Sequence, residues 1–352
     1  MSRDATARSS RPMLIVFAVM LAALAIAALT NRSDDRAPVA AEAPADDAPA
    51  AGPPITVAAT GDIMMGTPQF GLPPDDGRTF FDPVADLLTG DVVMGNLEGT
   101  LSTTAGSKCG PDSSNCFAFQ SPPEYAETMA AAGFNVMNLA NNHANDFGDT
   151  GLQETVAALT GAGIQATGLA GTRATIDADG RSVAVLGFAP YPWADPLLEL
   201  EVAAERVRSA AADADIVVVT FHAGAEGADR DHVPEGPEEY LGEPRGDSRA
   251  FAHAVIDAGA DLVVGHGPHV LRGMEVYGGR LIAYSLGNFD GYRAFSLDGA
   301  LARSMVLSAR IAADGRFVDG RIHPTELVGE GTPAPGGDAI ATVRRLSQED
   351  FG

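Results

Sequence analysis

Four of the seven histidines in this 352-residue chain stand just past short apolar runs, and they do not stand there alone. The run "ITVAATGD" delivers Asp62. "DVVMGNLE" delivers Asn96 and Glu98. "VMNLANNH" delivers Asn142 and His143, with Asp146 shortly after. "DIVVVTFH" delivers His222, with Glu226 four residues on. "DLVVGHGPH" delivers His266 and His269, and "LIAYSLGN" delivers Asn288. Imidazole, carboxylate and amide oxygen in one set suit a borderline divalent ion such as Mn, Zn or Fe. A structural zinc site would prefer thiolates, which this set lacks. A carboxylate can bridge two ions about 3.5–4 Å apart, and such a pair can activate water and stabilise both the entering and the leaving oxygen of a displacement. His232, His253 and His323 follow no such run and read as bystanders on a loop, a helix face and a loop.

Each motif taken singly is weak. An Asp after a strand is commonly a turn residue, and Asn tolerates left-handed backbone. The weight falls on convergence, because ligands of open α/β sheets bind at the carboxyl ends of strands.

The elements that must deliver these residues are legible. Short β-branched runs occur at "ITVAAT", "DVVMGN", "FNVMNLA", "SVAVLGFA", "DIVVVTFHA", "DLVVGH", "LIAYSLGN" and "SMVLSARI". Helical stretches lie between them at "PEYAETMAAAG", "DTGLQETVAALTGAG", "LELEVAAERVRSAAADA" and "SRAFAHAVIDAGA". Strands alternating with helices predict an α/β protein with a buried sheet.

The N-terminal segment reads differently. Residues 1–11 carry three arginines and predict a cytoplasmic tail, and residues 12–30 are free of charge. Nineteen residues at a helical rise span roughly 28 Å, about the thickness of a bilayer core. The preceding arginines orient such a helix with the body outside. We therefore expect a single-pass plasma-membrane anchor, the alternative being a cleaved signal peptide and secretion. Residues 31–54 are almost all Ala, Pro and Asp and predict a disordered linker. The folded domain is expected over residues 55–330, with a C-terminal tail at 331–352.

A net charge of −24, with Lys108 as the only lysine, excludes the basic surface of a nucleic-acid binder. In an oxidising compartment Cys109 and Cys116, bracketing "GPDSSN", suit one local disulfide.

"GDIMMG", "GNLEGTLS", "LANNHANDFGDTGLQET", "HAGAE", "GADLVVGHGPHV" and "AYSLGNF", in this order, resemble the CapA-type capsule and poly-γ-glutamate synthesis proteins of the calcineurin-like metallophosphoesterase superfamily. The resemblance implies a four-layer α/β/β/α sandwich with metals at one sheet edge. It implies that Asp62 and His269 ligate a first ion, that Asn142, His222 and His266 ligate a second, and that Glu98 bridges them. It gives His143 the role of general acid. Glu226 and Asn288, which also match these proteins, would supply missing ligands or supporting contacts, and Asn96 and Asp146 are candidates for supporting or substrate contacts. The wider superfamily carries a histidine where this chain has Met64, a shorter Asp at the place of Glu98, and one residue fewer between the last two histidines. One ion or two therefore remain open.

The expected activity is that of a membrane-tethered metal-dependent hydrolase of capsule or poly-γ-glutamate biosynthesis. Its substrate would be a phosphoester or an anionic cell-surface polymer, and its partners membrane-bound polymer synthases. The alternative is a non-catalytic subunit that exports or anchors the polymer. Arg230, Arg245, Arg249 and Arg272, near the His-bearing loops, are the cations that could meet a polyanion.

Overall fold

Val57 and Ala59 point to one side of the first strand and Ala58 to the other, and this alternation builds the molecule. A computed structural model describes residues 52–110 and 116–352. The 1–11 segment, the apolar run 12–30 and nearly all of the 31–54 linker lie outside the described residues, as does the middle of the Cys109–Cys116 loop.

Two sheets form. The first has the strand order Thr332–Pro335, Phe317–Val328, Arg303–Ile311, Ile55–Ile63, Val92–Leu97, Val136–Asn138, Gln165–Thr167. The second runs Met274–Tyr277, Arg280–Ala283, Leu262–His266, Ile216–His222, Arg181–Ala189, Ala174–Ala178. In each, the strands that carry site residues pair in parallel. The Ile216–His222 strand is buried at every position, as a strand covered on both faces must be.

Period-two alternation divides the core into three slabs. Val57, Ala59, Val92 and Met94 of the first sheet share one cluster with Ile216, Val218, Leu262 and Val264 of the second. Ala58 and Val93 face outward onto Tyr125 and Met129 of the Tyr125–Ala132 helix and Leu159 of the Gly148–Gly161 helix. Val217, Val219 and Val263 face outward onto Val207 of the Leu200–Ala211 helix and Phe251 and Val255 of the Ser248–Asp257 helix. The layers therefore run helix, sheet, sheet, helix. The Ser248–Asp257 helix begins where the Asp247 side chain accepts a hydrogen bond from the Ala250 amide at 2.9 Å, an N-cap.

The sheets meet where the site lies. Asp62 bridges Asn288, with the Asp62 amide donating to the Gly287 carbonyl at 2.9 Å. This approach needs a glycine at position 61, since a Cβ there would stand 1.9 Å from the Gly287 oxygen. Among the described residues no helix is long and apolar enough to cross a membrane.

The structure corrects two expectations. Residues 331–352 are not a tail: they form the Thr332–Pro335 edge strand and the Ala339–Phe351 helix, whose Ala339 and Val343 enter the core between the sheets. Ala339, Val343 and Leu346 have the i, i+4, i+7 spacing of an apolar stripe, but charged and polar neighbours dilute it to three residues. His323 lies in the Phe317–Val328 strand, not in a loop.

Candidate metal centre

Strand register sets the site. Asp62 pairs with Asn96, Asn96 with Asn138, and His222 with His266, so their side chains leave neighbouring strands at one level. Asn96 Nδ2 donates to Asp62 Oδ1 at 2.8 Å and lies 3.3 Å from His222 Nδ1. Asn138 and Asn141 both donate to Asn96 Oδ1, at 2.9 and 3.1 Å. That amide is thereby locked with its NH₂ toward the acid and the imidazole.

His269 is the hub. Its Nδ1 lies 3.1 Å from Asp62 Oδ2 and 2.9 Å from Asn288 Oδ1. Its Nε2 lies 3.6 Å from Glu98 Oε1 and 3.7 Å from Glu226 Oε2. The ring is aimed by a left-handed backbone at φ 62°, a conformation costing a non-glycine residue about 1–2 kcal/mol. Glu98 Oε1 is also 4.0 Å from His222 Nε2, so this carboxylate stands between two imidazoles. His266 Nδ1 is 3.4 Å from Asp62 Oδ1. Asn142 reaches the group through Glu226, its Nδ2 lying 3.5 Å from Oε1. Donor atoms of Asp62, Glu98 and His269 lie within 4.8 Å of one another.

The fit to a cation rests on atoms left without partners. Both oxygens of Glu98, Asn142 Oδ1, His222 Nε2 and both ring nitrogens of His266 are buried and make no hydrogen bond. A buried polar atom left unsatisfied costs about 1–3 kcal/mol, and more for a charged group. One divalent cation among them would satisfy several at once and compensate the converging acids, and imidazole with carboxylate is the donor chemistry such ions take.

Electrostatics agree. Burial pushes the Glu98 carboxyl well above its ordinary range. Burial would also raise Asp62, but the close imidazoles of His266 and His269 outweigh it and hold this acid well below the usual carboxylate range. Burial disfavours the His222 imidazolium and holds its pKa well down, leaving a neutral ring of the kind that ligates metals.

His143 stands at the rim. Its Nδ1 meets Asp146 Oδ2 at 2.8 Å, which leaves Nε2 as the nitrogen open to a substrate. The Phe119 ring lies against it at a centroid distance of 4.4 Å. Burial lowers its pKa, with the Asp146 hydrogen bond acting in the opposite direction. Outside lies a cleft of about 270 Å³, lined by Phe119, His143, Glu226, Tyr240, His269 and Phe295 among others.

A sequence model of the family described as bacterial capsule synthesis protein PGA_cap matches residues 56–291, a span that includes every residue of the centre from Asp62 to Asn288. The chain belongs to the PGA_cap family. It is similar to the PGA biosynthesis protein CapA of Bacillus subtilis, 32% identical over 239 residues that cover 61% of this chain and 57% of that protein. It is also similar to the capsule biosynthesis protein CapA of Bacillus anthracis, 34% identical over 186 residues covering 47% and 42%. The chain thus spans about half the length of these PGA_cap relatives. A 5'-nucleotidase precursor from Thermus thermophilus superposes with a TM-score of 0.42 at 14% identity, covering 84% of this chain and 59% of that one.

In this PGA_cap chain Asp62, Asn96, Glu98, Asn142, His143, Asp146, His222, Glu226, His266, His269 and Asn288 all gather at one edge. Of the four arginines only Arg245 joins them. Its Nη2 holds Glu226 Oε1 at 2.8 Å, and its guanidinium lies between Tyr191 and Tyr240. Arg272 is spent on a buried bidentate pair with Glu238, and Arg249 donates to the Asp350 carbonyl. Arg230 lies beside Asp229 at the surface. The four arginines therefore have separate partners rather than one shared polyanion site. His232 pairs with Asp350, and His253 stacks on Tyr277, both away from the centre. Cys109 and Cys116 are joined as expected. Sequence reading did not find the roles of Asn138 and Asn141, although the asparagine-rich "NLANN" holds both.

Proposed function

We propose that this chain is a metal-dependent hydrolase of the phosphoesterase type that acts in capsule or poly-γ-glutamate assembly outside the cytoplasmic membrane. The observation that supports this best is the meeting of buried Asp62 and Glu98 with His269, beside an imidazole, His143, braced by its own carboxylate. Asp62, Glu98, Asn142, His222, His266 and His269, with Glu226 next to them, would hold one or two divalent ions. A bound ion would supply Lewis-acid polarisation and a more acidic water.

The chain's own groups do the rest. His143 presents Nε2 to the cleft, and as imidazolium, with Nδ1–H kept by Asp146, it can pass its Nε2 proton to a departing oxygen or nitrogen. Asp146 fixes its tautomer by accepting a hydrogen bond from Nδ1–H. Phe119 and Phe295 cover the cleft with apolar rings and keep bulk water from the imidazole. Arg245 holds one oxygen of Glu226, leaving the other toward His269.

Residues 12–30 would tether the catalytic body to the membrane, where polymer synthases supply its substrate, a phosphoester or a γ-glutamyl amide. The test uses the full-length chain in detergent with Mn²⁺ or Zn²⁺, an aryl phosphodiester and poly-γ-glutamate. Cleavage of either, abolished in His143→Gln with bound metal retained, supports the reading. Bound metal with neither bond cut would sink it and leave a polymer-exporting or anchoring subunit.

A further inference from the structure

Asp146 is a carboxylate removed from water, its side chain 0% exposed. Three donors compensate it. His143 Nδ1 and the Phe119 amide reach Oδ2 at 2.8 and 2.7 Å. Lys108 Nζ stands 2.7 Å from Oδ1, close in distance but off the hydrogen-bond direction, so charge holds this contact. Lys108 grips the same loop twice more. Its Nζ donates to the Asn142 carbonyl at 3.1 Å, and its backbone amide donates to the Asp146 carbonyl at 2.7 Å.

Both stems that hold Asp146 leave one stapled loop. Lys108 directly precedes Cys109, and Phe117 and Phe119 follow Cys116, its disulfide partner. Every other side-chain cation of the chain apart from histidine is an arginine. An ammonium is a compact point charge that fits between a carboxylate and a carbonyl, whereas a guanidinium is a broad planar fork.

We propose that Lys108 is a positioning residue for His143, acting through Asp146 and held in place by the Cys109–Cys116 disulfide. Without the ammonium, Oδ1 of Asp146 is a buried charged oxygen with no counter-charge. Such a carboxylate turns toward solvent, and that frees the His143 ring to rotate. The kinetic consequence rests on the hydrolase reading. The structural consequence does not.

The test compares wild type, Lys108→Met, Lys108→Arg and Cys109→Ser/Cys116→Ser in the full-length, Zn²⁺-loaded chain in detergent. The first readout is the downfield proton NMR line of the His143 Nδ1–H, assigned by its absence in His143→Gln. The second is kcat and KM on an aryl phosphodiester. Lys108→Met is expected to lose or shift the line and to lower kcat about 10–100-fold with KM within about two-fold. Lys108→Arg, which keeps the charge without the compact shape, recovers only part of both, and the double serine variant moves the line in the same direction as Lys108→Met. An unmoved line and unchanged kcat in Lys108→Met would overturn the proposal. So would loss of the line in both Lys108 variants together with a collapsed thermal transition, which marks a mere structural prop. If wild type cuts nothing, the hydrolase reading fails while the NMR line still decides the role of Lys108.

Discussion

His269 Nδ1 lies 3.1 Å from Asp62 Oδ2, and Nε2 of the same ring lies 3.6 Å from Glu98 Oε1. One imidazole is clamped between two buried acids. Burial alone would lower its pKa, but the charge of Glu98, then Asp62 and Glu226, pushes it up to about 10. Glu98 is raised by burial. The raised His269 keeps a proton in the metal-free cluster at neutral pH, and a bound cation would displace it. Metal affinity is therefore expected to rise with pH. Calorimetry in buffers of different ionisation heat should detect at least one proton released per ion near pH 7, and no release would contradict the clamp. In the metal-free chain the sign is opposite. Stability from the raised His269 is full below its ordinary value of about 6.5 and is lost as pH rises through its folded value.

Arg245 matters through Glu226. Arg245→Met leaves Glu226 Oε1 without its cation, next to an acid-rich cluster. Breaking one side of a fully buried pair costs about 3–5 kcal/mol, and with Glu226 17% exposed the loss here is expected below that range. Thermal unfolding of the metal-free chain should show the loss, and added Mn²⁺ should recover part of it. Equal melting points for wild type and variant would show that Arg245 carries no such charge balance.

Gly61→Ala puts a Cβ 1.9 Å from the Gly287 carbonyl oxygen, which is backbone and cannot swing away. The bridge that joins the sheets at Asp62 must open. We expect poor soluble yield or a metal-binding defect larger than that of Gly110→Ala, where a Cβ meets nothing within 4 Å. Similar behaviour of the two variants would remove this bridge from the account.

The C-terminal helix is part of the core. Val343, 3% exposed, packs between the sheets. Val343→Ala should destabilise by roughly 1–3 kcal/mol, since a buried methyl pair is lost and a cavity is left. Truncation after Gly337 should cost far more. Denaturant titration measures both, and an unaffected truncation would return this segment to the status of a tail.

The centre was readable because each candidate ligand stands at or just past the end of a strand, and strands announce themselves by β-branched runs such as "DIVVVTF". Parallel register then brings Asp62 beside Asn96 and His222 beside His266 without further instruction. What stayed hidden depends on contacts between distant segments. Lys108 precedes Asp146 by 38 positions, in a loop with no periodicity, and nothing local says that they meet. Arg245 was one of four equivalent-looking arginines until the Glu243–Gly246 strand set it against Glu226. The terminal helix was missed because its three buried positions, Ala339, Val343 and Leu346, stand among charged and polar residues that look like solvent-exposed chain.

The central claim is that Asp62, Glu98 and His269, with His222, His266 and Asn142 around them, cage a divalent cation. Equilibrium dialysis of the full-length chain against Mn²⁺ or Zn²⁺, with metal counted per chain, tests it most directly. The account predicts one or two ions per wild-type chain and a fall in affinity of about 10-fold or more in Glu98→Gln and His269→Ala. Wild-type binding no higher than that of the two variants would contradict it.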